Sequence, residues 1–346
     1  MPQKPDNLHK LAMLVKALAG KSTMLIVVQD RPDPDALASA MALRKLANVV
    51  GVQCSLACGG HVGRAENRAL LKYVGVNLRS MAEIDLDRFE AIAMVDTQPG
   101  ANNSLPDSVM PTIVIDHHPV VPDTRRAVFT DIRGRYGATS TILCEYLQTA
   151  GLEPDIILAT ALFYGIRSDT QDLGREATQA DIEAYGYLYP LVNKRMLGEI
   201  QRGLVPSEYY QVLATGLHSA RLCGPAIFCD LGEVHNPDMI PELADLLLRH
   251  EQVDWVLVWG YHGGQALLSV RSDDEPPDSD TLIKLLIEGL GEGGGHTAMA
   301  GGQIVLTEDT RLARRRLADV LRTRFLEALK LPAFRCRRLV KHRHEI

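Results

Sequence analysis

Short apolar runs that end in acidic residues constrain the fold of this chain more than any other feature of its sequence. Runs at residues 24–28, 52–58, 91–95 and 112–115 are each too short for a helix, and a helix-like segment follows each of them. Residues 127–130 are a candidate for a further strand. This alternation predicts βαβ units and a parallel sheet in the first half of the chain.

Three of these runs lead directly into titratable side chains. The residues concerned are Asp30, Asp33 and Asp35 after the first run, Asp96 after the third, and Asp116, His117 and His118 after the fourth. Because ligands of an open parallel sheet bind beyond the carboxyl ends of its strands, we expect these groups to converge on one edge. Asp169, which follows an apolar helix, is a fourth contributor.

Clustered carboxylates stay ionised together only where a cation compensates their charge. Oxygen ligands with one or two imidazoles suit Mg²⁺ or Mn²⁺, and the histidines favour Mn²⁺. Each residue also has a purely structural interpretation: Asp35 as a helix N-cap, Asp96 in a turn, the histidine pair as a structural pair. For any one residue alone the structural interpretation is favoured, whereas the whole set at strand ends indicates a metal site.

The second half of the chain has a different pattern. Three strand-like runs, AIFCDL, WVLVWGY and ALLSVR, are accompanied by helix-like segments and by a glycine cluster at residues 291–295. The fold class is therefore α/β, with an N-terminal parallel-sheet domain and a smaller C-terminal α/β domain, and a cleft between them. We predict domains at residues 1–190 and 221–346, joined by a helical linker at 191–220.

Composition excludes several classes of protein. The 346 residues are 46% hydrophobic and carry a net charge of −6, which argues against a general coat for nucleic acid. No window of eighteen apolar residues is present and the N-terminus lacks the layout of a signal peptide, so we expect a cytoplasmic protein without membrane spans. Cys54 and Cys58 are expected to be free thiols rather than zinc ligands or disulfides.

The ordered motifs resemble those of a known superfamily. DxD after a buried strand, then VDT, DHH and GIRSDT, resemble the four motifs of the DHH phosphoesterases. GEGGGHTAMAGG at residues 291–302, with SVRS at 269–272 before it, resembles the DHH-associated C-terminal domain of nanoRNases, RecJ-type exonucleases and some cyclic-dinucleotide phosphodiesterases. The likeness extends over nearly the whole chain.

The resemblance implies a role for each motif residue. Asp33 would bind the first metal ion, Asp96 would bridge two ions, and Asp35, His117 and Asp169 would hold the second. Asp116 and His118 are the candidate catalytic residues: Asp116 would orient the histidines, and His118 would stabilise charge on the scissile phosphate or protonate the leaving group.

The C-terminal motifs imply contacts with the substrate. Gly294, Gly295 and His296 would approach a phosphate or a terminal nucleotide, since glycines let backbone N–H groups come close. Arg271 is a candidate phosphate clamp because its planar fork matches phosphate oxygens.

One position departs from the family pattern. The first motif of the family opens with a histidine that binds the first ion, and here that position is Gln29. A neutral amide oxygen is a poorer ligand than imidazole for these ions. Three alternatives stay open: the first site is weak, it is completed by Asp30, or it fills only with substrate.

The sequence thus predicts a metal-dependent phosphoesterase acting on short oligonucleotides, dinucleotides or nucleotide phosphates, similar to nanoRNases (oligoribonucleases) that also remove phosphate from 3'-phosphoadenosine 5'-phosphate. Two Mn²⁺ or Mg²⁺ ions are expected as cofactors. Long nucleic acid is not expected as the main partner, and a homodimer is left open. The alternative is a nucleotide-binding or regulatory protein with an incomplete metal site and little catalysis.

Overall fold

The computed structural model describes residues 5–60, 62–101, 103–174, 177–273, 278–295, 297–332 and 336–340. The chain forms two compact units, Met1–Leu204 and Val205–Ile346. Their boundary falls within the segment 191–220 that the sequence predicts as the connecting region.

The first unit is built on a six-stranded sheet. Its strands are β1 (Thr23–Val27), β2 (Gln53–Cys58), β3 (Leu78–Ser80), β4 (Ala91–Val95), β5 (Ile113–Asp116) and β6 (Phe129–Ile132). They lie in the order β3-β2-β1-β4-β5-β6, and every neighbouring pair is parallel. The predicted α/β fold with an N-terminal parallel sheet is confirmed.

Helices cover one face of this sheet. They are α1 (Pro5–Leu18), α2 (Pro34–Val49), α3 (Ala65–Val74), α4 (Thr139–Thr149), α5 (Ile156–Asp169), α6 (Gln179–Leu188) and α7 (Lys194–Gln201). Met24 and Ile26 of β1 point into the core that these helices form, whereas Leu25 and Val27 point to the other face. That second face is covered by side chains such as Met81 and Leu105 from loop and 3₁₀ segments. Since both faces are covered, the strands are continuously apolar, as in β4, where all five residues are buried.

The order of the strands determines where a ligand can bind. The chain moves outward from β1 through β2 to β3, then returns to β4 on the opposite side of β1. In open sheets of this kind, the crevice at the carboxyl ends of the two strands flanking such a reversal is the usual ligand site. Here those strands are β1 and β4, and the sequences that follow them contain Asp33 and Asp96.

The second unit contains a mixed seven-stranded sheet. Its strands are β7 (Arg221–Cys223), β8 (Ala226–Glu233), β9 (Trp255–His262), β10 (Gln265–Ser272), β11 (Glu292–Gly295), β12 (Met299–Val305) and β13 (Arg337–Arg338). They lie in the order β11-β12-β10-β9-β8-β7-β13, with β8 and β9 parallel and the other pairs antiparallel. The glycine cluster is thus an edge strand.

Four helices complete the second unit within the described residues: α8 (Ser207–Ser219), α9 (Met239–Leu248), α10 (Ser279–Ile287) and α11 (Arg311–Ala328). The first two pack on one face of the sheet, where Leu213 and Leu243 join one hydrophobic core. The last two pack on the opposite face, where Ile283 and Leu321 join another. In the part of the chain that is described, no helix is both long and apolar enough to cross a bilayer.

Cysteines divide into two groups. Cys54 and Cys58 are free, as the sequence predicts. Cys223 and Cys336 form a disulfide that the sequence did not indicate, because the two residues are 113 positions apart. This bond ties the segment before β13 to β7, and so connects the last described residues to the sheet.

Candidate metal centre

The carboxyl ends of β1, β4 and β5 bring the predicted acids to one edge of the first sheet. Gln29 and Asp33 follow β1, Asp96 follows β4 directly, and Asp116 is the last residue of β5. The three strands are immediate neighbours, so side chains almost ninety residues apart in sequence meet. Asp169, the last residue of α5, reaches the same place.

Asp33 and Asp35 flank the start of α2. Asp33 is its N-cap, with Oδ1 accepting from the Ala36 N–H at 2.9 Å, and Pro34 occupies the first helical position. Asp35 is fully buried, and its two oxygens accept from the backbone N–H groups of Thr139 and Ser140, each at 2.7 Å. Its carboxylate therefore lies at the N-terminus of α4, where the exposed N–H groups of a helix favour negative charge.

Asp96 is held in a strained conformation. Its φ is 58°, a region that non-glycine residues adopt rarely and that concentrates at functional sites. Oδ1 accepts from the Thr139 hydroxyl at 2.9 Å, whereas Oδ2 is buried without a hydrogen-bond partner among the described residues. A buried carboxylate oxygen without a donor is costly, and a bound cation would remove that cost.

Asp116 is hydrogen-bonded to both histidines. Its Oδ1 accepts from the backbone N–H groups of His117 and His118 at 2.7 and 3.2 Å, and contacts His118 Nδ1 at 2.8 Å. Its Oδ2 accepts from Gln98 Nε2 at 2.8 Å. Because the hydrogen bonds of Asp116 go to these neighbours, it shapes the site as an orienting carboxylate would.

The ring of His117 is aimed into the acid cluster. Its Nδ1 lies 3.1 Å from the carbonyl oxygen of Tyr136, which fixes a proton on that nitrogen. Nε2 then points toward Asp169 Oδ2 at 3.4 Å and Asp96 Oδ1 at 3.7 Å, and it is buried without a hydrogen bond of good geometry to any described residue. An imidazole nitrogen presented in this way among carboxylates has the tautomer and the surroundings of a metal ligand.

Among the described residues, two sets of ligand atoms are close enough to hold an ion. One is Asp35, His117 and Asp169, and the other is Asp96, His117 and His118, with the atoms of each set within 4.8 Å of one another. The first set contains the three residues predicted for the second ion. Carboxylate and imidazole ligands fit a divalent cation such as Mn²⁺ or Mg²⁺, and so do Asp96 Oδ2 and His117 Nε2, which have no hydrogen-bond partner in the described part of the chain.

The electrostatics of the cluster also favour a divalent cation. Burial, followed by repulsion from Asp169, raises the pKa of Asp33 to about 7 and that of Asp35 to about 6. Burial and the neighbouring acids also raise the pKa of Asp96 well above its ordinary value. Burial alone would lower the pKa of His117, but Asp169 and other acids raise it to about 10. A divalent ion would let these carboxylates ionise together at neutral pH.

Gln29 and Asp30 are engaged with neighbouring protein groups. Gln29 Nε2 donates to Asp33 Oδ2 at 2.9 Å, so the amide presents a hydrogen atom to Asp33. Asp30 accepts from the Gly59 N–H at 3.0 Å and from the Ser104 hydroxyl at 2.8 Å. Both oxygens of Asp33 thus accept hydrogen bonds in this arrangement. Asp30 is engaged by the loops that carry Gly59 and Ser104.

Several supporting residues were missed by the sequence analysis. Thr139 and Ser140 bind Asp35 and Asp96, Gln98 binds Asp116, and Tyr136 positions His117. The segment GATST at residues 137–141 carries a signal in retrospect, since it is a polar run at the start of a buried helix. Nothing in the sequence marks the Tyr136 carbonyl, because any residue could supply it.

The predicted substrate residues belong to the second unit. Gly295 N–H donates to Asp280 Oδ1 at 3.0 Å, and a Cβ on Gly293 would lie 2.6 Å from the Gly301 carbonyl oxygen. The glycines of β11 therefore also serve its close pairing with β12. Gly294 lies between Gly293 and Gly295 and faces Asp280. His296 lies outside the described residues.

Arg271, the predicted phosphate clamp, lies on β10. Its guanidinium forms an ion pair with Asp245 and donates to the Ser269 hydroxyl at 2.8 Å. A phosphate would have to share or replace the contact with Asp245.

Two family models match this chain, one in each of its two units. The family model described as the DHH family, N-terminal domain, matches residues 23–166, and the DHHA1 domain model matches residues 224–323. An uncharacterized protein of Methanocaldococcus jannaschii is 36% identical over 317 residues, which are 89% of this chain and 64% of the relative. The chain therefore spans less than two thirds of that relative's length.

Solved structures share the fold at low sequence identity. An exopolyphosphatase-related protein from Bacteroides fragilis superposes with a TM-score of 0.71 at 15% identity, covering 93% of this chain and 97% of that one. RecJ from Thermus thermophilus, in complex with Mn²⁺, superposes with a TM-score of 0.55 at 16% identity, covering 96% and 56% of the two chains. The two family models, together with the order of the motifs, show that the chain belongs to the DHH phosphoesterase superfamily and carries a DHH domain followed by a DHHA1 domain.

Proposed function

We propose that the protein is a metal-dependent phosphoesterase that hydrolyses short oligonucleotides, dinucleotides or nucleotide phosphates. The observation that supports it most is the meeting of Asp35, His117 and Asp169 beside Asp96, with two buried ligand atoms that find no hydrogen-bond partner among the residues the structure describes. Such a cluster is unstable by itself and is suited to a divalent ion.

The residues around the site have distinct parts in this proposal. A divalent ion bound there would lower the pKa of a bound water and offset charge on the phosphoryl oxygens. Asp35, Asp96 and Asp169 would hold it, and the Tyr136 carbonyl would keep a proton on Nδ1 of His117, so that Nε2 is the nitrogen that loses its proton to bind the ion. Asp33 would contribute to a first site.

His118 is the proposed proton donor. Burial would lower the pKa of its imidazole, but the hydrogen bond with Asp116 raises it overall. A protonated histidine held by Asp116 suits transfer of a proton to the leaving-group oxygen, or stabilisation of charge on the phosphate. Arg271, Gly294, Gly295 and His296 are proposed to bind the substrate.

The choice of ion and substrate is supported by fold likeness and by charge. RecJ from Thermus thermophilus was solved with Mn²⁺ and, in a second structure with a TM-score of 0.51 to this chain, with Mg²⁺. We propose Mn²⁺ or Mg²⁺ for this chain. The net charge of −6 favours a small anionic substrate over a long polymer.

Purified protein with Mn²⁺ should be assayed against a dinucleotide, a short oligonucleotide, a cyclic dinucleotide and 3'-phosphoadenosine 5'-phosphate. The proposal predicts turnover of one or more of them, and loss of that turnover in Asp35→Asn. Bound Mn²⁺ without product from any substrate would contradict it.

The hydrogen bond from Gln29 to Asp33 favours one alternative, a nucleotide-binding or regulatory protein with a single ion and little catalysis. Metal content and turnover, measured on the same preparation, distinguish the two. One ion per chain without turnover supports the binding protein, whereas turnover supports the enzyme at either stoichiometry.

A further inference from the structure

The second unit contains a cavity that is separate from the residues proposed to bind substrate. Its volume is about 640 Å³, within the range of roughly 300–1,000 Å³ that is typical of small-molecule sites. Its lining comes mainly from β7, β8, β9 and α11, and includes Arg221, Phe228 and Arg322. β7 and β13 form the opposite edge of the sheet from the glycine strand β11, and Arg271 pairs with Asp245 of α9, a helix on the other face.

Two arginines stand opposite each other at this edge of the sheet. β7 and β13 are antiparallel, and their register places Arg338 opposite Arg221. The Leu339 N–H donates to the Ala220 carbonyl oxygen at 3.1 Å, so the two arginines form a pair that exchanges no hydrogen bonds of its own. Side chains come closest in pairs of this kind, and like charges directly opposite each other are destabilising.

Neither arginine of this pair has an acidic partner among the described residues. Arg221 donates through Nη1 to the carbonyl oxygens of His218, Ser219 and Ala220 at 3.2, 2.7 and 3.1 Å, which caps the C-terminus of α8. Its Nε and Nη2 find no acceptor in the described part of the chain. Burial, and after it the charge of Arg338, lowers the pKa of Arg221. An anion bound between the two guanidinium groups would offset their repulsion.

α11 adds a third guanidinium to the cavity. Arg322 is about half exposed and pairs with Asp319, also exposed, at 3.0 Å. An exposed pair of this kind contributes little, so Arg322 can turn to a ligand. The other acid of the lining, Asp230, accepts from the Gly232 N–H at 2.8 Å, and burial raises its pKa, which disfavours its negative charge. Positive charge therefore predominates in the cavity.

The disulfide between Cys223 and Cys336 fixes the position of Arg338. The two cysteines are the next pair along the same ladder, with their Cα atoms 4.3 Å apart, and Cys336 itself lines the cavity. β13 has only two residues, fewer than strands usually have, so its ladder hydrogen bonds alone are a weak attachment. The disulfide thus keeps Arg338 beside Arg221.

We propose that this cavity binds a phosphate group through the guanidinium groups of Arg221, Arg322 and Arg338, and that the disulfide is required because it positions Arg338. The planar fork of a guanidinium matches two phosphate oxygens, and a phosphate dianion compensates both members of the cross-strand pair. Inorganic phosphate and the phosphate of a nucleotide offer this same chemistry. They differ in size, and the cavity volume leaves room for either.

Binding of inorganic phosphate and of AMP to the full chain should be measured by calorimetry at a fixed chloride concentration, with a chelator that removes divalent ions. Tighter binding of AMP supports an organic phosphate as the ligand, and equal binding supports the free ion. Arg338→Ala should weaken the binding at least about tenfold, since a charge-assisted contact is lost. Arg337→Ala is the matched control, because Arg337 is paired with Leu222, which packs on the other face of the sheet, and it should leave binding unchanged. Arg271→Ala should also leave it unchanged.

Cys336→Ser tests the part of the disulfide. It should weaken binding about as much as Arg338→Ala, and the double variant should bind no more weakly than either single variant, because loss of the disulfide already removes Arg338 from the site. Arg338 is exposed, so its variant keeps the fold. The proposal is overturned if neither probe binds, if Arg338→Ala binds no more weakly than Arg337→Ala, or if Cys336→Ser binds as tightly as the wild type. None of these results depends on whether the protein is a phosphoesterase.

Discussion

Gln29 Nε2 donates a hydrogen bond to Asp33 Oδ2 at 2.9 Å. The resemblance to DHH phosphoesterases implies a metal-binding histidine at position 29, so this contact puts a donor where the family has a ligand. The other oxygen of Asp33 accepts from the Ala36 N–H. The cluster of Asp35, His117 and Asp169 is therefore better prepared for an ion than the surroundings of Asp33.

The first prediction concerns the number of ions. The wild-type chain should bind one Mn²⁺ tightly, and Gln29→His should add a second ion per chain, because imidazole is a better ligand than an amide and no longer donates to Asp33. Metal content after equilibrium dialysis measures this. Gln53→His, an exposed position at the start of β2, is the matched control and should leave the stoichiometry unchanged. Equal metal content in both variants would mean that position 29 does not face the ion.

The second prediction tests whether Asp169 is a metal ligand, by comparing it with the nearby Asp172. Asp169 lies 3.4 Å from His117, whereas Asp172 is exposed and paired with Arg167. Asp169→Asn should weaken Mn²⁺ binding at least about tenfold, since it removes a charged ligand, and Asp172→Asn should change it little. Calorimetric titration gives both affinities. A similar loss in the two variants would indicate a general effect of negative charge rather than coordination.

Most of the first unit could be predicted because its determinants are local. A parallel sheet covered on both faces produces short, continuously apolar strands, as in β1 and β4, and these are visible without knowledge of distant contacts. That Asp33, Asp96 and Asp116 meet follows from the general rule that ligands bind at the carboxyl ends of such strands. Their individual roles stay predictions.

The supporting contacts could not be predicted because they join distant parts of the chain. Asp35 binds backbone N–H groups at Thr139 and Ser140, more than one hundred residues away, and backbone groups have no sequence signature. Whether Gln29 offers its oxygen or its nitrogen depends on where Asp33 lies in three dimensions. In the second unit, β7 and β13 have only three and two residues, too few for a pattern.

The third prediction is a pH dependence of stability. The pKa values of Asp33 and Asp35 are raised to about 7 and about 6, so their stabilising contribution is present near pH 4 and is lost as pH rises through those values. The pKa of His117, raised to about 10, adds stability below about 6.5 that is lost at higher pH. The metal-free protein should therefore have a lower Tm at pH 8 than at pH 5.

Added Mn²⁺ should reverse this trend, because its ligands bind in their deprotonated forms. The gain in Tm on adding Mn²⁺ should be larger at pH 8 than at pH 5, and Asp33→Asn should reduce the pH dependence of the metal-free protein. Thermal unfolding followed by circular dichroism, with chelator or with Mn²⁺, measures both. A metal-free Tm that rises between pH 5 and pH 8 would contradict the electrostatic account.

The fourth prediction concerns the buried ionic network behind His117. Arg133 contacts the fully buried carboxylate of Asp131 at 2.8 Å and Glu145 at 2.5 Å, and its carbonyl oxygen accepts from the Tyr136 N–H at 2.8 Å. Arg133→Ala would remove the guanidinium that both buried carboxylates share, and although Asp131 keeps its ion pair with Lys10, the loss should cost about 3–5 kcal/mol. It should also weaken Mn²⁺ binding, since it removes the hydrogen bond from the guanidinium to the Tyr136 hydroxyl at 3.1 Å and so weakens the turn whose carbonyl orients His117.

Arg126→Ala is the matched control, because Arg126 and its partner Asp123 are both about two thirds exposed. Removing that pair should cost less than about 1 kcal/mol. Urea unfolding of the metal-free variants gives the free energies, and Mn²⁺ titration of the folded fraction gives the affinities. If Arg133→Ala is destabilised but binds Mn²⁺ as tightly as the wild type, then the remaining contacts of His117 are enough to hold it, and the network stabilises the fold without positioning the ligand.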